Sequence, residues 1–170
     1  GRFLTVNPAL AQMWGYASPD ELVAEITDIA SQVYADSSQR LEFARRMEES
    51  GEVRGFEYQS RRKDGSWMWV SENARAVRDA AGTILYYEGN IQDITERKRA
   101  EEALRASETR LSTIFHASPM PIVISRIRDG RYTEFNDAFQ NLIGYTREEI
   151  FGHTARELNI WVVPEQRDLL

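Results

Sequence analysis

The chain has 170 residues, no cysteine and a formal net charge of −6 at neutral pH. This length can hold one hydrophobic core and part of a second. Without cysteine the sequence cannot form disulfides, thiolate metal sites or thiol nucleophiles, and its acidic balance argues against nucleic acid as a partner. Its apolar runs are far shorter than the roughly 20 residues that cross a bilayer. We therefore expect a cytoplasmic segment without membrane contact, in a parent protein that could be anchored elsewhere.

The first fifty residues show mainly helical periodicity. Residues 3–6 predict a short strand that ends at Asn7, and Asn7 is a good helix N-cap before Pro8. Apolar residues at helical spacing then predict helical segments at 8–14, 19–26, 29–34 and 38–49. Gly15 and Gly51 stand where the first and the last of these helices should end.

After Gly51 the pattern changes to that of β-strands. The predicted strands are Val53–Arg62, Trp67–Arg78 and Thr83–Asp93, and turn residues separate them. Asp64-Gly65 between the first two is a strong hairpin signal, because glycine tolerates positive φ. The three strands should therefore form an antiparallel meander. Their period-2 alternation predicts one buried aromatic face, formed by Phe56, Tyr58, Trp67 and Trp69.

Residues 95–110 predict a long helix, because they contain no glycine or proline and are rich in helix-forming residues. Pro119 and Pro121 mark the point by which this helix must have ended. A weak heptad seam runs along the helix and continues just past it, formed by Ala100, Leu104, Leu111 and Ile114. Such a seam predicts a parallel homodimer.

One segment of the chain occurs twice. Residues 1–16 align with residues 130–145 at a single offset, with the Gly-Arg, Asn, Ala and Gly-Tyr positions identical. A period of about 130 residues is the size of a domain rather than of a solenoid repeat. The repeat therefore predicts a tandem array of which this sequence is a window, with neither copy complete.

Four segments of the sequence resemble the PAS family of sensor domains. They are the strand leading into Asn7-Pro8-Ala9-Leu10 and Gly15-Tyr16, the run Arg62–Trp67, the run Tyr87–Lys98 and the entry segment Ile114–Ile122. The most specific of these features is Asp93-Ile94-Thr95, which resembles the motif that closes bacterial PAS cores and leads into a charged helix. Together the four segments span nearly the whole chain.

The resemblance implies an α+β fold, with a five-stranded antiparallel sheet and helices on one face of it. The implied spatial order of the strands is second, first, fifth, fourth, third. Residues 1–94 would form a first module that lacks its first strand, 95–113 a signalling helix, and 114–170 the N-terminal part of a second module. A strand at Ile122–Arg126, from the same or a neighbouring chain, is one candidate to replace the missing strand.

No motif in the sequence points to catalysis. Glycine-rich phosphate loops and the G-x-S-x-G nucleophile elbow are absent from the sequence. The two histidines, His116 and His153, do not stand at metal-binding spacing, so no metal site is predicted. Among PAS cofactors, a flavin-type photosensor needs a cysteine, and a haem type takes its histidine from a helix that here, at 38–49, has none. Neither cofactor is predicted for the first module. The corresponding helix of the second module is not in this sequence, so haem there is an open alternative without support, and an unknown small molecule is another open alternative.

Two groups of residues are candidates for function. A pocket between helices and sheet would be lined by Met13, Trp14, Tyr34, Phe43, Tyr58 and Trp69. Packed core is the alternative role for each of these six residues. Asp93 or Thr95 can cap the helix that follows, and Asp93 stands three residues before Glu96, which is capping-box spacing.

These features predict a non-catalytic sensory or regulatory pair of PAS modules. The pair would relay a signal to an effector domain in the same chain, most simply a histidine kinase of a two-component system. A diguanylate cyclase effector and a ligand-free dimerisation spacer are the alternatives. The sequence names neither the signal nor the effector.

Overall fold

A computed structural model describes residues 1–160 of the chain. The chain divides into two compact units, residues 1–102 and residues 103–170, and each is described by itself. The fold class is α+β, as predicted, because helices precede and follow an antiparallel sheet in each sequence copy.

Four helices open the first unit, and each begins at a polar side chain that caps it. The helices are α1 (Pro8–Met13), α2 (Pro19–Glu25), α3 (Ile29–Gln32) and α4 (Ser37–Ser50). The side chains of Asn7, Ser18, Asp28 and Asp36 accept hydrogen bonds from the free N–H groups of the first turns. The longest helix, α4, ends at Gly51, whose φ of 73° is the left-handed conformation that favours glycine.

The predicted meander is confirmed. Strands β1 (Glu52–Arg61), β2 (Trp67–Arg78) and β3 (Ile84–Asp93) pair antiparallel in the order β1-β2-β3. This sheet has the third, fourth and fifth strands of the implied five. A bulge between Val53 and Phe56 shifts the register of β1 against β2. Gly55 lies inside this bulge with a φ of 60°.

The helices cover one face of this sheet, which we call the inner face. Its fully buried side chains include Tyr58, Met68 and Val70, at 1%, 1% and 0% exposure. From the helices, the largest side chains buried against them are those of Trp14, Leu22, Val33, Phe43 and Met47. Burial of this contiguous cluster is the main stabilising contribution to the unit.

The predicted position of Trp67 and Trp69 on the buried face is wrong. Trp69 pairs with Gln59, whereas Tyr58 pairs with Val70, so Trp69 lies on the opposite face from Tyr58. Trp67 is 47% exposed. Since Met68 and Val70 occupy the buried positions of β2, both tryptophans must point to the other face, which we call the outer face.

The predicted strand at 3–6 is also absent from the structure, which shows extended chain and a bend there. The second sequence copy gives the reason. Its equivalent segment, Tyr132–Phe135, is a strand and pairs with Val123–Ser125, which lies upstream of it. Residues 3–6 pair with no strand among the described residues, and a strand forms only where its backbone groups have a partner.

Helix α5 (Thr95–Ala117) has 23 residues and is longer than the predicted span of 95–110. The helix ends at Ala117, immediately before Ser118-Pro119, because proline cannot continue a helix. None of its residues is buried.

The second unit contains β4 (Val123–Ser125), β5 (Tyr132–Phe135), α6 (Asp137–Ile143) and α7 (Arg147–Ile150). Its small core consists of Phe135, Phe139, Ile150 and Leu158. Because β4 pairs antiparallel with β5, the prediction that Ile122–Arg126 completes the first sheet within one chain is wrong. The part of the predicted second module at 161–170 lies outside the described residues.

Candidate functional site

The junction between β3 and α5 is held by side chains on both sides. The carboxylate of Asp93 accepts a hydrogen bond of 2.8 Å from the N–H of Thr95 and one of 2.9 Å from the guanidinium of Arg62. Partial burial acts to raise the pKa of Asp93, but the hydrogen bonds from Thr95 and the charge of Arg62 together lower it below its usual value. Asp93 is therefore the residue that caps the helix.

The sequence offered Thr95 as the alternative cap of this helix, but in the structure Thr95 binds the sheet. Its hydroxyl oxygen accepts a hydrogen bond of 3.0 Å from the backbone N–H of Trp69 on β2. The N–H of Ile94 donates to the carbonyl of Trp69 at 2.9 Å, and the Ile94 side chain is only 6% exposed. The first helical residue and the residue before it are thus bound to the central strand of the sheet.

The first turn of α5 also contacts the outer face of the sheet. The ammonium of Lys98 and the guanidinium of Arg97 each lie 2.6 Å from the carboxylate of Glu57 on β1. Lys98 and Arg97 lower the pKa of Glu57 by their hydrogen bonds to it. The Lys98 ammonium also lies 5.1 Å from the ring centroid of Trp69. On the outer face, the ring of Trp69 therefore forms a cation–π contact with Lys98 in the first turn of α5.

The hairpin between β1 and β2 connects the junction with helix α1. Besides its bond to Asp93, Arg62 donates to the carbonyl of Met13, the last residue of α1, at 3.2 Å. The N–H of Lys63 donates to the carbonyl of Trp14 at 2.9 Å. A single arginine therefore contacts both the end of a helix that covers the core and the start of the helix that leaves it.

Five of the six predicted pocket residues meet in the helix-covered core, and the sixth does not. Trp14, Tyr34, Phe43 and Tyr58 are each at most 4% exposed, and Met13 packs against their cluster. Trp69 lies outside it, on the outer face. Within the core the rings of Tyr34 and Tyr58 are stacked with centroids 4.2 Å apart.

Sequence reasoning missed an acidic residue on the inner face. Glu72 of β2 lies opposite Phe56 of β1, and one of its carboxylate oxygens accepts a 2.9 Å hydrogen bond from the hydroxyl of Tyr58. Burial raises the pKa of Glu72, against the opposing effects of the Tyr58 hydrogen bond and the charge of Arg40. The sequence did contain a signal for this position. Glu72 stands two residues after Val70, and residues two apart on a strand share a face.

The predicted seam residues of α5 are all exposed in this single chain. Leu104, Leu111 and Ile114 are 62%, 64% and 61% exposed, and Ala100 is exposed as well. Such values are unusual for large apolar side chains at heptad spacing, which in coiled coils are covered by a partner helix.

Within residues 1–160 no three His, Asp or Glu side chains are grouped so that they could hold a metal ion. No helix in that same range is long and apolar enough to span a membrane.

Comparisons with known proteins identify the family to which this fold belongs. Residues 3–91 match the PAS fold family and residues 109–170 match a PAS domain family. The chain belongs to the PAS family. It carries two PAS segments.

The sequence is similar to bacterial sensor proteins. It is 30% identical over 129 residues to the sensor protein FixL of Bradyrhizobium diazoefficiens, a match that covers 75% of this chain and 25% of that protein. The two-component sensor PprA of Pseudomonas aeruginosa is 27% identical over 106 residues, 62% of this chain and 11% of that protein. The chain thus spans a quarter or less of these relatives.

Among solved structures, a sensory box histidine kinase/response regulator from Burkholderia thailandensis E264 is 30% identical. The match covers 62% of this chain and 79% of that chain, with a TM-score of 0.47.

Proposed function

We propose that this chain is the sensory input of a histidine kinase, and that it relays signals from its first PAS module through the junction at Asp93 and Thr95 into helix α5. The observation that carries the proposal is the double attachment of the helix start: Asp93 binds Arg62, and Thr95 binds the backbone of Trp69. The similarity to bacterial sensor proteins supports a kinase as the effector.

The attachment gives a physical route from core to helix. A change in the packing under α1 moves the carbonyl of Met13, which Arg62 contacts, and Arg62 also contacts Asp93. Moving the sheet shifts the backbone of Trp69, to which both Ile94 and Thr95 are bound. Either movement changes the direction in which α5 leaves the sheet, and that direction biases a two-state effector.

We further propose that α5 forms the contact between two copies of the chain in a cytoplasmic homodimer. The exposed seam of Ala100, Leu104, Leu111 and Ile114 supports this, because a parallel partner helix would cover it. In this arrangement residues 1–94 are the first module, 95–113 the signalling helix and 114–170 the start of the second module.

The relay is tested in the full-length kinase that contains this chain. Asp93→Ala removes the cap and the bond to Arg62, and Asp20→Asn, an exposed carboxylate on α2, is the matched control. Loss of the cap costs the chain about 1 kcal/mol of stability, whereas the basal rate of autophosphorylation should change severalfold. A basal rate identical to that of the control, in a protein that stays folded, contradicts the relay and favours a passive spacer.

A further inference from the structure

We propose that Asn136 is a positioning residue, which fixes the end of helix α5 to the first helix of the second unit, so that the second PAS segment receives the position of α5. The inference rests on the proposed relay and names the residue at which the relayed movement arrives. It uses residues of the second unit, and that unit includes the end of α5.

The side chain of Asn136 is fully buried, and all of its polar groups have partners. Its amide oxygen accepts hydrogen bonds from the backbone N–H of Phe139, in the first turn of α6, at 3.0 Å and from that of Ile122 at 2.8 Å. Its amide nitrogen donates to the carbonyls of Met120 at 2.8 Å and Ser118 at 3.4 Å. A buried amide paired in this way holds one geometry, because leaving its groups unpaired is costly.

These hydrogen bonds join two segments that are distant along the chain. Residues 118–122 follow directly on α5, whereas Asn136 is the N-cap of α6. The backbone N–H of Asn136 also donates to the carbonyl of Ile122 at 3.0 Å. Pro119 and Pro121 stiffen the connecting segment, because each fixes its own φ. The end of α5 is therefore bound to α6 through a short segment with little freedom.

A second contact joins the two helices directly. The imidazole Nδ1 of His116, in the last turn of α5, lies 2.9 Å from the carboxylate of Asp137, the first residue of α6. Both side chains are partly exposed to solvent, so this contact contributes less than the buried amide. The end of α5 thus has one buried and one exposed attachment to α6.

The sequence repeat provides an internal comparison. Asn7 is the equivalent of Asn136 and also caps a helix, by accepting a hydrogen bond of 2.8 Å from the N–H of Leu10. Asn7 is exposed, however, and within residues 1–160 its side chain forms no other hydrogen bond. Pro8, which has no charge, stands at the position of Asp137. The same cap therefore serves one helix in the first copy and joins two segments in the second.

The shared amide oxygen explains how a movement of α5 would reach the second unit. A displacement of residues 118–122 moves the N–H of Ile122, which binds the same oxygen as the N–H of Phe139. Both bonds keep their geometry only if α6 moves too. Because Phe139 packs in the small core of this unit, the movement extends into that core.

The attachment is tested by measuring the distance between two spin labels on the 170-residue chain, which has no cysteine of its own. Arg110→Cys on α5 and Leu142→Cys on α6 place the labels at exposed positions, and an excess of unlabelled chain removes distances between copies. We expect one narrow distance distribution. Asn136→Ser keeps a good cap but is too short to reach residues 118–122, so it should widen the distribution about twofold.

Two further variants complete this test. Asn7→Ser is the matched control, because it changes a cap that joins no second segment, and it should leave the distribution unchanged. His116→Ala removes the exposed attachment without touching a buried group, and it should widen the distribution by a smaller factor. An unchanged width in a folded Asn136→Ser chain overturns the proposal. If that variant unfolds the second unit, an unchanged width in His116→Ala overturns it instead.

The full-length kinase separates this inference from the relay. The severalfold effect of Asp93→Ala on the basal rate should disappear in an Asn136→Ser background and persist in an Asn7→Ser background. If the effect persists in both backgrounds, the relay stands and Asn136 is not its receiver. An effect that is absent in every background refutes the relay and the receiving role with it, whereas a distribution that widens in Asn136→Ser would still support the attachment.

Discussion

Two stacked tyrosines in the core of the first unit should respond in opposite directions to the same chemical change. Tyr34→Phe removes a buried hydroxyl that has no partner among the described residues, and Tyr58→Phe removes a buried hydroxyl that donates to Glu72 at 2.9 Å. The two rings lie 4.2 Å apart and are at most 4% exposed, and phenylalanine keeps the ring in both variants. The difference between the variants therefore measures hydrogen bonding alone.

The magnitudes follow from the state of each hydroxyl. An unsatisfied buried polar group costs about 1–3 kcal/mol, so Tyr34→Phe should raise the free energy of unfolding by up to that amount. Tyr58→Phe removes the hydroxyl that donates to Glu72 at 2.9 Å, and a hydrogen bond to a charged group contributes about 1.5–3 kcal/mol, so this variant should be less stable by that amount. For a domain of this size each kcal/mol shifts the melting temperature by about 4–8 °C.

The assay is urea unfolding of the 170-residue chain, followed by circular dichroism and by tryptophan fluorescence, with both single variants and the double variant. Trp14 is fully buried in the same core and reports on its integrity. If both single variants lose stability equally, the Tyr34 hydroxyl has a partner in solution and the reasoning about its unpaired state is refuted.

Two further predictions concern the sheet. The pKa of Glu72 is raised by burial, so its folded form binds protons more tightly than the unfolded chain, and stability falls as pH rises from its usual 4.5 through the raised value. Glu72→Gln should therefore gain stability relative to the wild type as pH rises above about 4.5 in urea titrations, and a pH-independent difference would contradict this. Gly89→Ala should cost about 1–3 kcal/mol or more, because a Cβ there collides with the backbone oxygen of Asn73 and with Ala74. An unchanged urea midpoint for Gly89→Ala would show that β2 and β3 can separate without penalty.

The sequence was sufficient for features that local chemistry determines. The boundaries of β2 followed from turn residues, and the preference of polar side chains for helix N-termini reduced the cap to two alternatives, Asp93 and Thr95. The face of the sheet on which Trp69 lies could not be predicted from the sequence. Alternation shows which residues share a face but not which face is buried, and on β2 the alternate residues Met68 and Val70 are also apolar.

Non-local contacts account for the remaining differences. Residues 3–6 have a strand-like composition, yet a strand needs a partner that local sequence cannot supply. Because Glu72 is a charged residue, the sequence alone indicates an outward-facing position. In the structure it lies on the inner face, where it accepts a hydrogen bond from the hydroxyl of Tyr58. The assignment of five pocket residues to one cluster was possible because large aromatic side chains at these spacings are usually buried.

The attachment of α5 to its sheet has a consequence for how such chains can be rearranged. The contacts from the junction to the sheet fall between Asp93 and Lys98, and no residue of the 23-residue helix is buried. Insertions or deletions downstream of Lys98 in whole sevens keep the seam on the same side of the helix. Changes of that kind leave every contact between the junction and the sheet in place, so the geometry of the first unit does not depend on the length of the helix beyond Lys98.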